Sequence, residues 1–160
     1  MINILFVCLG NICRSPMAEA LFKYKVEQQG LSDQIFVDSA GTGSWHIGHP
    51  PHEGTQAILK SKGISCADLK GRKLTPSDLT HFNYIIAMDQ NNVKTILKYS
   101  DSRSEKRVQR LLDFVPEQPL RDVPDPYYTG DFEEVYALID AGTDALLTHI
   151  FEEHQQLGVK

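Results

Sequence analysis

Cysteine is scarce in this chain and odd in number. Three cysteines in 160 residues, Cys8, Cys13 and Cys66, cannot close a fully paired disulfide framework and suit a reducing compartment. Basic excess is missing as well. Sixteen Lys and Arg stand against 21 Asp and Glu, a formal net charge of −5 that disfavours nonspecific binding to nucleic acid or to an anionic membrane. No apolar run approaches the roughly 20 residues of a membrane-spanning helix. The N-terminus carries no basic leader, and its apolar stretch Ile4–Leu9 is too short for a signal-peptide core. Together these absences predict a cytoplasmic address. Internal repeats and low-complexity segments are absent too, so a single domain over residues 1–160 is expected. The sequence carries no signal for oligomeric state.

What is present is the composition of an ordinary packed domain, 41% hydrophobic and 23% charged. A chain of this length buries roughly 70% of the surface that its unfolded form exposes, enough for a core without staples. Ile2–Cys8 is a near-continuous apolar run of the kind found in a strand buried on both faces. Ser15-Pro16 reads as an N-cap and first helical position, and Met17, Ala20, Leu21 and Tyr24 then recur at helical spacing up to Gly30. A second strand is expected at Ile35–Ala40, and a helix at Glu53–Lys62 closed by Gly63. A third strand, Tyr84–Met88, precedes a helix capped by Asp89, and a weaker fourth strand lies near Val108–Leu112. A proline-rich loop, Pro116 to Pro126, leads to a last helix whose start at Asp131 is marked by a D-x-x-E capping pattern. Strands alternating with helices predict an α/β fold: one three-layer domain, a four-stranded parallel sheet with helices on both faces. Ligands of such folds sit outside the carboxyl ends of the strands, which directs attention to the loops after Val7, after Ala40, after Met88 and before Tyr127.

The loop after the first strand carries chemistry: Cys8-Leu9-Gly10-Asn11-Ile12-Cys13-Arg14-Ser15. Its successive N–H groups can curl into an anion nest, and the helix that follows adds its dipole. Gly10 and Asn11 tolerate the left-handed backbone that such a curl demands. Arg14 presents a planar fork matched to two phosphate oxygens. The field that holds a dianion also favours a thiolate at Cys8, and the Ser15 hydroxyl can donate to it. The spacing therefore predicts a phosphate-binding loop with a sulfur nucleophile.

Here the residues resemble the low-molecular-weight protein tyrosine phosphatases. The C-x5-R-S-P run at Cys8–Pro16 directly follows the first strand. Asp38-Ser39-Ala40-Gly41-Thr42, Trp45 and Gly48, Ala87-Met88-Asp89, and Asp125-Pro126-Tyr127-Tyr128 then fall in family order. C-x5-R alone is a weak pattern, but joined to the D-P-Y-Y block it is specific. The resemblance implies attack on phosphorus by Cys8, with Arg14 on the equatorial oxygens. It likewise implies that Asp125 is the acid for the leaving phenolate and then the base for the water that hydrolyses the phosphocysteine. Leu9, Gly10, Asn11, Ile12, Cys13 and Ser15 are expected to form the substrate-binding loop, with Trp45, Tyr127 and Tyr128 expected at the aryl site. No metal or cofactor is implied, and the partner is a tyrosine-phosphorylated protein or a small aryl phosphate.

Blander readings compete. Asp122 rivals Asp125 in the same loop. Trp45 and Tyr127 can be core aromatics, and Tyr128 reads as a packed partner rather than a wall. Asp125 is expected in irregular chain with no helix to cap. Cys66 is expected to be inert, and Cys13 a candidate redox partner of Cys8. His46, His49 and His52 invite a metal reading, but they lie among Gly48, Pro50 and Pro51, where no helix or strand fixes ligand geometry. Many relatives carry a histidine that supports the loop asparagine; Cys66–Arg72 holds none, so another group must serve. Three other activities come into question. Arsenate reduction on this scaffold relays through two further cysteines, and none occurs between Arg72 and Lys160. Phosphoarginine hydrolysis is associated with threonine where Ile12 stands. A non-catalytic anion-binding module is at odds with an intact Cys8, Arg14 and Asp125.

Overall fold

The computed structural model describes residues 1–154; the last six positions of the expected 1–160 domain lie outside the described residues. Four parallel strands form one sheet in the order β2-β1-β3-β4: β1 (Ile2–Cys8), β2 (Ile35–Gly41), β3 (Tyr84–Ala87) and β4 (Val108–Arg110). The α-helices among the described residues are α1 (Arg14–Gln28), α2 (Glu53–Ser61), α3 (Asp78–His81), α4 (Gln90–Leu97), α5 (Pro126–Thr129) and α6 (Phe132–Glu153).

The pleat of β1 divides the core. Ile4, Phe6 and Cys8 face the larger cluster, which includes Met17, Phe22, Leu59, Ile139 and Leu146 from α1, α2 and α6. Leu5 and Val7 face the smaller one, with Leu79, Phe82, Ile85 and Ile96 on the α3 and α4 side. Successive strand side chains alternate between faces, so a strand covered on both sides reads as continuously apolar. At a transfer energy of about 25 cal/mol per Å², each fully buried Leu, Ile or Phe contributes roughly 1.5–3 kcal/mol. Strand β1 lies between β2 and β3, so the chain leaves the sheet on opposite sides at their carboxyl ends. This switch point opens a crevice directly above Cys8.

Several boundaries differ from those expected. Helix α1 begins at Arg14, with Cys13 as N-cap and no side-chain cap bond. Ser15 is therefore inside the helix, its hydroxyl recruited by Cys8, and Pro16 occupies the third helical position, where its missing N–H is still no loss. Tyr24 is 40% exposed, and Phe22 and Val26 bury in its stead. Strand β4 stops at Arg110, because Leu111–Phe114 tightens into a 3-10 turn that buries Leu111 and Leu112. Asp89 caps α4 through a reciprocal box with Asn92, and Asp131 caps α6 by accepting from Glu134 N–H.

Candidate active site

Cys8 ends β1 at the floor of the crevice and is 2% exposed. Its Sγ lies 3.0 Å from Ser15 Oγ and accepts from the Asn11 N–H at 3.3 Å. Asn11 holds φ at 56°, the left-handed conformation that asparagine tolerates better than most residues. That conformation turns the loop back over the sulfur.

One bond sets the polarity of the whole network. The Arg72 backbone N–H donates to the Asn11 side chain at 2.9 Å, so the atom it meets is the amide oxygen. The Asn11 amide nitrogen consequently donates to Ser15 Oγ at 2.8 Å and to Ser39 Oγ at 3.0 Å. Both hydroxyls accept, which frees the Ser15 proton for Cys8 and the Ser39 proton for Glu19 Oε1 at 2.6 Å. Glu19 is buried within α1 and paired with Lys23 at 2.5 Å. Burial raises its pKa, against the opposing pull of Lys23 and Ser39. Arg72 is in turn held by Asp38 at 3.1 Å and Asp78 at 3.0 Å. Ser39 and the Arg72 N–H thus occupy the supporting role left open by the missing histidine.

Arg14 is almost fully buried. Its Nη1 donates to Asp89 Oδ2 at 2.7 Å and to the Val123 carbonyl at 2.8 Å, and Nη2 donates to Asp125 Oδ2 at 3.3 Å. Burial opposes the guanidinium charge, but Cys8, Asp89 and Asp125 outweigh it and the pKa is raised. Arg14 Nε is a buried donor with no partner among the described residues. Cys13, also buried, has its thiol pushed up to about 12, first by burial and then by the charges of Cys8 and Asp125. It stays protonated near neutral pH and does not compete with Cys8 as a nucleophile.

Asp125 departs from the expected irregular chain. It is the N-cap of α5, its Oδ1 accepting from Tyr127 N–H at 3.1 Å. Pro126 opens this single turn, and Gly130 closes it with φ at 74°. A turn this short leaves no periodic trace in the sequence. Asp122, the rival acid, points elsewhere: its Oδ1 accepts from Gln90 N–H at 3.0 Å and from Arg110 Nη1 at 3.3 Å.

The crevice is a pocket of about 310 Å³ lined by Cys8, Leu9, Gly10, Ile12, Cys13, Trp45, His46, Asp125, Tyr127 and Tyr128. Asn11, Arg14 and Ser15 are buried and are not among the residues lining this pocket. Trp45, Tyr127 and Tyr128 are 67%, 54% and 76% exposed, so none is a core aromatic. Tyr128 in particular is not packed away but stands on the rim, its ring 5.4 Å from that of Tyr127. The Trp45 ring lies over Gly43, where a Cβ would come within 1.9 Å of it. Sequence reasoning overlooked Glu19, Ser39, His46 and Asp89 as parts of the site. Glu19 and Ser39 had a signal, each a polar residue at a buried position of a helix or strand; Asp89 read as a helix cap and as part of the Ala87-Met88-Asp89 block.

A parallel α/β sheet with a cysteine-arginine anion loop at its switch point is the arrangement of a cysteine-dependent phosphatase. A family model described as low molecular weight phosphotyrosine protein phosphatase matches residues 3–156, and the chain belongs to that family. It is 52% identical over 155 residues to the low molecular weight protein-tyrosine-phosphatase YfkJ of Bacillus subtilis, covering 97% of this chain and 99% of that one. The crystal structure of YfkJ superposes with a TM-score of 0.94, covering 96% of each chain. PtpA of Staphylococcus epidermidis, also named a low molecular weight protein-tyrosine-phosphatase, is 44% identical over 153 residues, 96% of both chains. The structure of DARP, described as a drosophila arginine phosphatase, is 34% identical with a TM-score of 0.84, over 92% of this chain and 96% of that one. Among the described residues no helix is long and apolar enough to cross a membrane.

Proposed function

We propose that the protein hydrolyses phosphotyrosine and related aryl phosphate esters through a phosphocysteine intermediate on Cys8. The observation that carries this reading is the setting of Cys8 Sγ. It forms the floor of the pocket with two hydrogen-bond donors behind it, while Arg14 links the loop to Asp125. Cys8 attacks phosphorus as the bond to the aryl oxygen breaks, and Asp125 passes its proton to that oxygen. Arg14, with its unpartnered Nε and the loop N–H groups, holds the equatorial oxygens as negative charge develops. Asp125 then takes a proton from water, whose oxygen attacks phosphorus. The S–P bond breaks, releasing inorganic phosphate and restoring the thiolate. Trp45, Tyr127 and Tyr128 wall the aryl ring at the mouth. A tyrosine-phosphorylated protein in the cytoplasm is the substrate class this reading selects, and a nucleophile that must stay reduced agrees with that compartment.

Phosphoarginine is the second reading, since an arginine phosphatase shares the fold. Ile12 weighs against it: a buried apolar side chain on the pocket wall favours a flat phenyl ring over a charged guanidinium. The test is turnover of an aryl phosphate and of phosphoarginine by the purified chain and by Cys8→Ser. Preferred aryl hydrolysis, abolished in a folded Cys8→Ser protein, is the expected result. Activity that survives Cys8→Ser overturns the thiolate mechanism, and faster phosphoarginine turnover overturns the substrate assignment.

A further inference from the structure

Three histidines lie on the segment between β2 and α2, and they are not equivalent: of the three, His46 lines the pocket. His52 is already engaged, its Nδ1 accepting from Gly54 N–H at 3.0 Å as the N-cap of α2. His46 and His49 instead occupy the first and fourth positions of a hydrogen-bonded turn, His49 N–H donating to the His46 carbonyl at 3.0 Å. Gly48, the third position, has φ at +81°, the value a type II turn requires there. Two further bonds clamp this turn: Gly48 N–H donates to the Gly71 carbonyl at 2.8 Å, and Gly71 N–H donates to the His49 carbonyl at 2.8 Å. The clamp is close enough that a Cβ on Gly71 would lie 2.4 Å from the His46 carbonyl oxygen. The geometry that neither helix nor strand supplies in this stretch comes from a pinned turn.

As a result the two imidazoles face each other, Nδ1 to Nδ1, at 3.4 Å. Zinc–nitrogen bonds of about 2.0–2.1 Å at a tetrahedral angle place two ligating nitrogens about 3.3–3.4 Å apart. The spacing observed is the bite of one metal ion. We propose that His46 and His49 form a two-imidazole chelate for a borderline divalent cation such as Zn²⁺, Cu²⁺ or Ni²⁺, the class that imidazole nitrogen favours. Among the described residues no cluster of three or more metal-binding side chains occurs, so water completes the coordination and the ion exchanges freely. Binding needs both rings in the Nε2–H form. The proton shared between the two Nδ1 atoms moves through water to Nε2 of its own ring, and neutral imidazoles release none overall. His46 also lines the catalytic pocket, its Cδ2 lying 3.2 Å from where a Gly10 Cβ would stand. The ion therefore sits behind the pocket wall rather than on the Cys8 thiolate.

The test is calorimetric titration of the full chain with ZnCl₂ and NiCl₂ in a phosphate-free buffer. Binding at one site is expected in the parent, unchanged in Cys8→Ser and in His52→Ala. Loss of one of only two protein ligands should weaken it in His46→Ala and in His49→Ala by at least the roughly 10–100-fold that loss of a ligand's supporting partner costs. His49 is exposed and outside the pocket lining, so His49→Ala should keep its circular dichroism and its metal-free phosphatase activity. Binding that persists in both single variants overturns the chelate, as does binding that disappears in Cys8→Ser. No binding at millimolar zinc reduces the pair to an imidazole–imidazole hydrogen bond and also overturns it.

Discussion

The backbone N–H of Arg72 and the side-chain oxygen of Asn11, 2.9 Å apart, determine which way the proton of Ser15 points. Because a backbone N–H can only donate, the Asn11 amide can only offer its NH₂ group to Ser15 and Ser39. Asn11→Asp removes those two donors and adds a negative charge beside Cys8. A hydrogen bond to a charged group contributes about 1.5–3 kcal/mol, so aryl phosphate turnover should fall roughly 10- to 100-fold. Stopped-flow measurement of phosphocysteine formation checks this; an unchanged rate would show that the network is only structural.

The leaving group separates the two candidate acids. Asp125→Ala should slow turnover about 10²–10⁴-fold, most for leaving groups of high pKa, which need the proton. Asp122 joins the α4 N-terminus to Arg110 and is half exposed, so Asp122→Ala should cost far less and show no dependence on the leaving group. A steeper leaving-group dependence in Asp122→Ala than in Asp125→Ala would transfer the acid role.

Glu19 should leave a signature in stability against pH. Burial raises its pKa in the folded protein, so the folded state binds more protons than the unfolded one between the ordinary carboxylate value and the raised one. Stability contributed by this group therefore falls as pH rises through that window. Glu19→Gln keeps an acceptor for Ser39 and abolishes the titration. Relative to the parent, the variant should gain stability as pH rises from 4 to 7 in urea denaturation series, and parallel curves would refute the assignment.

Redox behaviour turns on Cys13. Burial gives the largest upward push on its thiol and the Cys8 charge adds to it; that second part disappears when peroxide converts Cys8 to sulfenic acid. Oxidation of Cys8 thus makes Cys13 a better attacking thiol at the moment one is needed. Peroxide should inactivate the enzyme, and a thiol reductant should restore it through a Cys8–Cys13 disulfide visible by mass spectrometry. Recovery of Cys13→Ser equal to that of the parent would make Cys13 a bystander.

Much of the architecture was legible in advance because it rests on local rules. The continuous apolar run of β1 declares a strand covered on both faces, and Cys8–Ser15 declares an anion loop by the spacing of its nucleophile, its glycine and its arginine. Caps at Asp89 and Asp131 are visible because a side chain and a backbone N–H three residues on are neighbours in the chain as well as in space. Contacts between distant segments leave no such mark. Arg14 meets Asp89, Val123 and Asp125 across separations of 75 to 111 residues. Ser39 reaches Asn11 from β2, and Arg72 reaches it from the segment between α2 and α3. The facing of His46 and His49 depends on Gly71, more than twenty positions away, pinning their turn. Sequence by itself determined the period of the elements and the chemistry of the loop, because both are set within a few residues. Tertiary structure alone decided which acid meets Arg14, which atoms polarise Ser15 and which imidazoles share a face, because hydrogen bonds form between groups that the fold, not the chain order, brings within bonding distance.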